Sequence, residues 1–559
     1  MELIASATPH SGHFSSDSGS MGIEDRNNVS DGGCSRCAER LKELINQRTA
    51  AKYWEKMHRR AVGREGKLKE QVRGLQARIK QRERELFAKR SESQGKSTDG
   101  RPEASEEEKK RSRGQQSGTD GHGRRCHENL PAESEEHDLP EDQKHCSTCE
   151  LPFKPFGETK DSEVVEIEVK AHRRLIKRRR YVRTCQCPGQ PRIITAPAPP
   201  KLIPKGCLGV SVWVMLLVDK FMFQRPTYRL LADLRLTCGL AISMGTVTGG
   251  FERLSALFMP IYEAIRERNV SECRWHADET RWLVFEEIEG KQGNKWYMWA
   301  FLSITTVFFK LDPSRSSRVP RAHFGEKARG ILNVDRYSAY KVLQKDGRIL
   351  LAFCWAHVRR DFLGLAKDWG EALEVWGLGW VDKIAMLYHL NKQRLAVLND
   401  PQAFGEVQAK LAAALDQMAS ERDAQLADAN LHRACHKVLE SLKQHWPGLV
   451  LFLKHPEVSM DNNRAERAQR PHVVGRKNYY GSGAKWSGEL AAMMFSLFQT
   501  LLLWDINPRA WLSAYLNACA ENGGKAPAAV RRCDADQWLP WNAGEEQLRA
   551  WRIQTRDGP

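Results

Sequence analysis

The 559-residue chain lacks any apolar run long enough to cross a bilayer. Its longer apolar stretches, such as GVSVWVMLLV (209–218), read as core helices. The first residues, MELIASATPHSGHF, carry neither the basic start nor the apolar run of a signal peptide. Both absences argue against membrane insertion and export, and the expected location is cytoplasmic. Large apolar residues are scarce over 1–33, so residues 1–37 are expected to be disordered. Acidic charge is in deficit: 70 Asp and Glu face 87 Lys and Arg, a formal net charge of +17. That excess favours a polyanionic partner, with nucleic acid ahead of an anionic membrane surface. Fourteen cysteines without an export signal point to reduced thiols or metal sites rather than disulfides.

Proline is absent from 38–89, and the segment is highly charged. Leu68, Val72, Leu75, Ile79 and Leu86 alternate at spacings of four and three with Arg82 in the seam, a heptad pattern that predicts a coiled coil over 38–90. Gly63, Gly66 and Gly74 weaken that helix, and a single solvated helix is the competing reading. Residues 91–143 read as a flexible polar linker, basic from Arg111 to Arg125. Over 144–195 a CxxC pair (Cys146, Cys149) and a CxC pair (Cys185, Cys187) flank EVVEIEVKAHRRLIKRRRYVR. Each short spacing sets two sulfurs on one side of an ion, which suits tetrahedral zinc. The intervening segment predicts a hairpin whose return strand carries Arg178 and Arg179, candidate phosphate contacts, and the whole reads as a zinc ribbon. Four unrelated thiols are the alternative. Cys34 and Cys37 have no second pair nearby and carry no metal expectation. Residues 196–270 read as helical. A helix, a Gly-containing turn and a second helix starting near Ser243 fit either a DNA-binding helix-turn-helix or an ordinary helical hairpin.

From 271 the pattern turns to strand, strand, strand, helix, strand, helix, strand, rich in aromatic and β-branched residues. This order resembles the ribonuclease H-like fold. Such a fold sets an Asp within the first strand beside an Asp at the end of the fourth, the places of Asp278 and Asp335. Two-metal phosphodiester cleavage needs carboxylates converging on one point, with Mg²⁺ or Mn²⁺ taking oxygen ligands. Glu466, in DNNRAERAQRP, is the candidate third ligand, on a short helix that Asp461 or Asn462 would cap and Pro471 would stop. Glu279 follows Asp278 but points to the other face, which argues against a ligand role. The overall expectation is a multidomain α+β protein. Its α/β catalytic core spans 271–360 and 456–517, a helical insertion spans 361–455, and a C-terminal tail fills 518–559.

The motifs RGQQSGTDGHGR, HADET, DRYSAY, CWAHVRRDF, DNNRAERAQRP, GRKNYYGSG and WLPWN, with the cysteine knuckles, resemble a transposase of the insertion sequence 66 family over most of the chain. The resemblance implies a DDE (Asp-Asp-Glu) triad on Asp278, Asp335 and Glu466. It further implies metal-dependent DNA cleavage at element ends, strand transfer to target DNA by the freed 3′-hydroxyl, and accessory proteins of the element as partners. The family's second knuckle is CxxC where this chain has CxC. Candidate phosphate contacts are Arg464, Arg467, Arg470, Arg476, Lys477, Arg359 and Arg360. His357 would touch the scissile phosphate or position Asp335, with a packing role equally open. Asp312 and Asp361 read as structural or solvent-facing, and Trp275, Trp282, Trp296 and Trp299 as core. The coiled coil would pair protomers. A non-catalytic DNA-binding regulator is the rival reading.

Overall fold

A computed structural model describes residues 35–87, 134, 137–154, 164, 167, 169–182, 184, 189, 191–287, 289, 293–345, 347–527 and 537–553. The chain divides into two units, 1–89 and 90–559. The expected disorder of 1–37 and the linker over 91–143 fall largely outside the described residues, although Ser35 to Cys37 already belong to a helix.

In the first unit, α1 (Ser35–Phe87) is one uninterrupted helix of 53 residues, about 80 Å long at 1.5 Å per residue. It runs through all three glycines. Where a side chain at Gly63 or Gly66 would stand, there is open space. Leu44, Trp54, Leu68 and Val72 are exposed on it. The helix itself was legible in the sequence.

The second unit begins with a two-stranded ribbon, β1 (Arg180–Val182) against β2 (Ile193–Thr195). Arg180–Val182, from the expected return strand, thus pairs with a segment beyond the CxC pair, and the first arm of the expected hairpin falls largely outside the described residues. Cys185 and Cys187 lie outside the described residues. Three helices follow, α2 (Val210–Phe221), α3 (Thr227–Cys238) and α4 (Met244–Ser271). Ser243 caps α4 by accepting from the Thr246 N–H, and Gly239, at φ 65°, ends α3. One side of α4 is buried from Val247 to Ile265, and Gly250 meets Trp213 so closely that a Cβ there would sit 1.9 Å from the indole.

The central sheet contains β3 (Arg274–Leu283), β4 (Lys295–Leu302), β5 (Val307–Asp312), β6 (Gly330–Val334) and β7 (Ile349–Phe353) in the order β5-β4-β3-β6-β7. The first three are antiparallel neighbours; β3, β6 and β7 run parallel. Short helices α5 (Arg318–Phe324) and α6 (Ser338–Lys341) fall between β5, β6 and β7. The four tryptophans expected in the core are buried there. Asp312 accepts from Arg318 at 3.0 Å and from the Ser314 N–H, the structural role expected of it.

Over the span expected to be a helical insertion the chain is helical: α7 (Trp355–Trp369) continues beyond residue 360, followed by α8 (Glu374–Ala396), α9 (Pro401–Ala427), α10 (Arg433–Leu449) and α11 (Leu451–Lys454). Next, α12 (Asn463–Tyr479) and α13 (Lys485–Leu503) pack on the sheet face that carries Trp282 and Phe309. Pro471 does not stop α12. The helix continues to Tyr479 because Gln469, His472 and Gly475 are all buried around it, and tertiary packing outweighs one lost backbone bond. The C-terminal segment is not a bare tail either. After α14 (Pro508–Glu521), Trp538 and Trp551 of α15 (Glu545–Trp551) are buried against Trp511, whose Nε1–H donates to the Trp538 carbonyl at 2.9 Å.

His472 is sealed between Phe495, stacked at 3.7 Å, and Phe309, with no hydrogen-bond partner at either ring nitrogen. Burial pushes its pKa down to about 3. The unfolded chain therefore takes up a proton below about pH 6.5 that the folded chain refuses, so stability is lost as pH falls from there toward the folded value. In urea titrations, His472→Leu should reduce that acid loss by up to about 1.4 kcal/mol per pH unit, while His276 and His323, also held neutral by burial, leave a residual slope.

Candidate active site

Parallel pairing of β3 with β6 sets Arg274 beside Ile331, Trp275 beside Leu332 and His276 beside Asn333. Carried two residues further, that register brings Asp278 opposite Asp335, the residue that follows β6. Strand alternation points Asp278 to the face that α12 covers, and Asp335 is near enough to raise its pKa. Asp335 is oriented by the Tyr337 N–H, which donates to its Oδ1 at 2.9 Å.

Glu466 lies in the first turn of α12, where a carboxylate is favoured by the helix dipole. Side chains of α12 pin the helix to β3. Of the two expected caps, Asn462 sits at the N-cap position and its side chain makes no capping bond. Its amide instead donates to the Ala277 carbonyl at 2.7 Å, and its Oδ1 meets His276 Nδ1 at 3.1 Å. Of these partners, His276 belongs to the last parallel pair and Ala277 lies just past it, next to Asp278. Asp461 accepts from the Asn463 N–H, and the Asn462 N–H donates to Cys354 Sγ. One turn past Glu466, Gln469 Nε2 donates to the carbonyls of Met298, 3.1 Å, and Asp278, 3.3 Å.

Burial, reinforced by the carboxylates of Glu279, Asp335 and Glu466, pushes the Asp278 carboxyl well above the usual range. A carboxyl in such surroundings holds its proton more readily, and a nearby positive charge would favour its ionised form. Glu466 has found a cation within the protein: Arg360 Nη2 donates to its Oε1 at 2.7 Å, and His357 Nε2 stands 3.7 Å from the same oxygen. Burial, then Arg360, holds His357 below its ordinary pKa, against the pull of Glu466 and Asp335. Among the described residues no three His, Cys, Asp or Glu side chains form a ready-made metal cluster. The donor chemistry nevertheless fits a hard divalent ion: carboxylate oxygens, one of them desolvated among like charges.

The structure thus brings together Asp278, Asp335, Glu466, His357 and Arg360. The other basic candidates divide. Arg476 turns inward to Thr280 Oγ1 and the Arg281 carbonyl, and Arg464 leans to the Ile304 carbonyl. Arg467, Arg470, Lys477 and Arg359 are exposed. Arg178 and Arg179 are exposed beside the β1–β2 ribbon, and Arg178 donates to the Ala196 carbonyl. Cys146 heads a tight knuckle: its N–H donates to the Leu151 carbonyl, Glu150 takes φ 58°, and backbone N–H groups of Thr148 and Cys149 lower its thiol pKa.

Sequence reasoning missed Asn462 and Gln469, whose partners lie 171 to 185 residues away or more and leave no local signature. It also missed Arg336, which clamps the loop after Asp335 to Asp361 and to Ser441 on α10, so that Asp361 is an ion-pair partner of that loop.

The family model described as "Transposase IS66 family" matches residues 205–490, just over half of the chain. The chain is also similar to three uncharacterized proteins of Sinorhizobium fredii. It is 26% identical to y4jD over 428 residues, covering 73% of this chain and 80% of the relative. It is 27% identical to y4hP over 350 residues, 59% of this chain and 63% of the relative, and 27% identical to y4qI over 383 residues, 63% and 66%. The two carboxylates paired by strand register and the helix that carries the third all lie within the matched region, and the chain belongs to the IS66 transposase family.

Proposed function

We propose that this transposase cleaves DNA at the ends of a mobile element and joins the freed 3′-hydroxyl to target DNA, with Asp278, Asp335 and Glu466 as the catalytic triad. The observation that carries the reading is the β3–β6 register, which puts two acids side by side under a helix bearing a third. The strand order β5-β4-β3-β6-β7, with antiparallel and parallel halves meeting at β3, supports a ribonuclease H-like core. Mg²⁺ or Mn²⁺ held by the three carboxylates would activate the attacking oxygen and stabilise the leaving one. The protein's own part is to position and to bind. Asn462 and Gln469 hold α12 on β3, so that Glu466 keeps its place over Asp278. The exposed Arg359, Arg467, Arg470 and Lys477 offer a polyanion charge-assisted bonds. Arg360 can exchange Glu466 for a DNA phosphate, freeing the carboxylate. A DNA-binding regulator without catalysis would leave the convergence of the three acids unexplained.

Two structural elements complete the proposal. Cys146 and Cys149, with Cys185 and Cys187, would hold zinc; the support is the knuckle geometry at Cys146. A long helix with an exposed apolar seam gains most of its stability from packing, so α1 would pair protomers and allow two DNA ends to be held together.

Cleavage of end DNA with Mg²⁺ or Mn²⁺ should fall by about a thousandfold or more in Asp278→Asn, Asp335→Asn and Glu466→Gln, while gel-shift binding persists; full cleavage by all three would reject the triad. In chelator, Asp278→Asn should raise the melting temperature by about 2–4 °C, since it removes a desolvated charge among like charges, and added Mn²⁺ should stabilise only the parent protein. Elemental analysis should find one zinc per chain, lost in Cys146→Ser.

A further inference from the structure

Behind the sheet, on the face opposite Asp278, Glu279 is enclosed, its side chain only 1% exposed. Arg315 donates to its Oε1 through Nε at 2.9 Å and Nη2 at 2.6 Å, and the Tyr340 hydroxyl donates to its Oε2 at 2.6 Å. Both partners lead back to Asp335. The Arg315 guanidinium lies 4.1 Å from the centroid of the Tyr337 ring, and the Tyr337 hydroxyl donates to the Arg315 carbonyl at 2.8 Å. Tyr337 is the residue whose N–H orients Asp335. Tyr340, fully buried with its edge on Trp299, closes the same loop from its far end. The segment from Asp335 to Tyr340 is therefore held at both ends by one carboxylate on the neighbouring strand.

A buried ion pair is a weak device for stability, because desolvating the two charges offsets most of their attraction. Here burial raises the Glu279 pKa in spite of both partners. What the arrangement secures is geometry. Without Glu279, the Tyr340 hydroxyl and Arg315 lose their shared anchor, and the loop that presents Asp335 keeps only its own turn and the Arg336 clamp.

We propose that Glu279 is a positioning residue that fixes Asp335 for metal binding from the opposite face of the sheet, acting through Tyr340 and through Arg315 and Tyr337. This rests on Asp335 being a metal ligand, as in the proposed function. It reverses the dismissal of Glu279 invited by strand alternation: the alternation does keep it from the metal, and it also places it where the Asp335 loop can be gripped.

The test uses the full chain with Glu279→Ala, Glu279→Gln and Tyr340→Phe, and Asp335→Asn as reference. Three quantities are measured: Mn²⁺ affinity without DNA by paramagnetic resonance titration, single-turnover cleavage of end DNA, and the urea midpoint. Glu279→Ala should lose about 10- to 100-fold in Mn²⁺ affinity and in maximal cleavage rate, with half-saturating DNA unchanged. Glu279→Gln, which keeps an acceptor for Tyr340, should recover part of both. Tyr340→Phe preserves the packing and should show an intermediate loss, and adding it to Glu279→Ala should cost little more. Wild-type Mn²⁺ affinity and rate in Glu279→Ala and Tyr340→Phe, with only the urea midpoint lowered and Asp335→Asn inactive, would overturn this inference alone. Wild-type cleavage by Asp335→Asn would reject the proposed triad and this inference with it.

Discussion

The parallel pairing of β3 with β6 is the constraint on which the rest of the site depends. Three residue pairs, from Arg274 with Ile331 to His276 with Asn333, set the register that brings Asp278 into the neighbourhood of Asp335. A slip by one residue would turn one acid to the opposite face. Burial makes such a slip costly. Trp275 and Leu332 are paired and both buried, and a shifted register would expose one of them. The hydrophobic effect that builds the core is thus also what aligns two charged groups that would otherwise repel.

The third acid arrives by a different physical route. Nothing in the α12 backbone bonds to the sheet ladder; the helix is held by side-chain amides reaching carbonyls of β3 and β4. Its far end is latched by Gln224, a buried residue at φ 57°, which accepts from the Tyr479 hydroxyl at 2.7 Å and, through its carbonyl, from Asn478. Gly475 is required at that contact, since a Cβ would come within 2.1 Å of the Gln224 side chain. A non-glycine residue in the left-handed region is costly, and here its side-chain and main-chain bonds to α12 hold it there. The helix that carries Glu466 is therefore tied at one end to the strand of Asp278 and at the other to the α2–α3 turn.

Charge balance at the centre is local. Asp278 has no basic partner among its described contacts, whereas Glu466 is paired with Arg360 and Glu279 with Arg315. Two acids are thus neutralised by arginines on loops or helices that come from elsewhere in the chain.

Composition and pattern alone were enough for the basic excess, the long N-terminal helix, the order of strands and helices from residue 274 to 353 and the helices over 361–455. Each of these is a local or periodic signal, written within a few residues of where it acts. Pro471 was misread because its local preference, to stop a helix, yields to packing against residues far away in sequence. The pairing of Arg180–Val182 with Ile193–Thr195 and the burial of Trp538 and Trp551 were likewise set by long-range contacts that no spacing reveals. The sequence by itself determined which acids were available and on which elements they lie. Only the tertiary structure decided that Arg360 neutralises Glu466, that Asn462 and Gln469 hold its helix, and that Glu279 grips the loop of Asp335. Those contacts join residues up to about 190 positions apart, and only a folded core can bring them together.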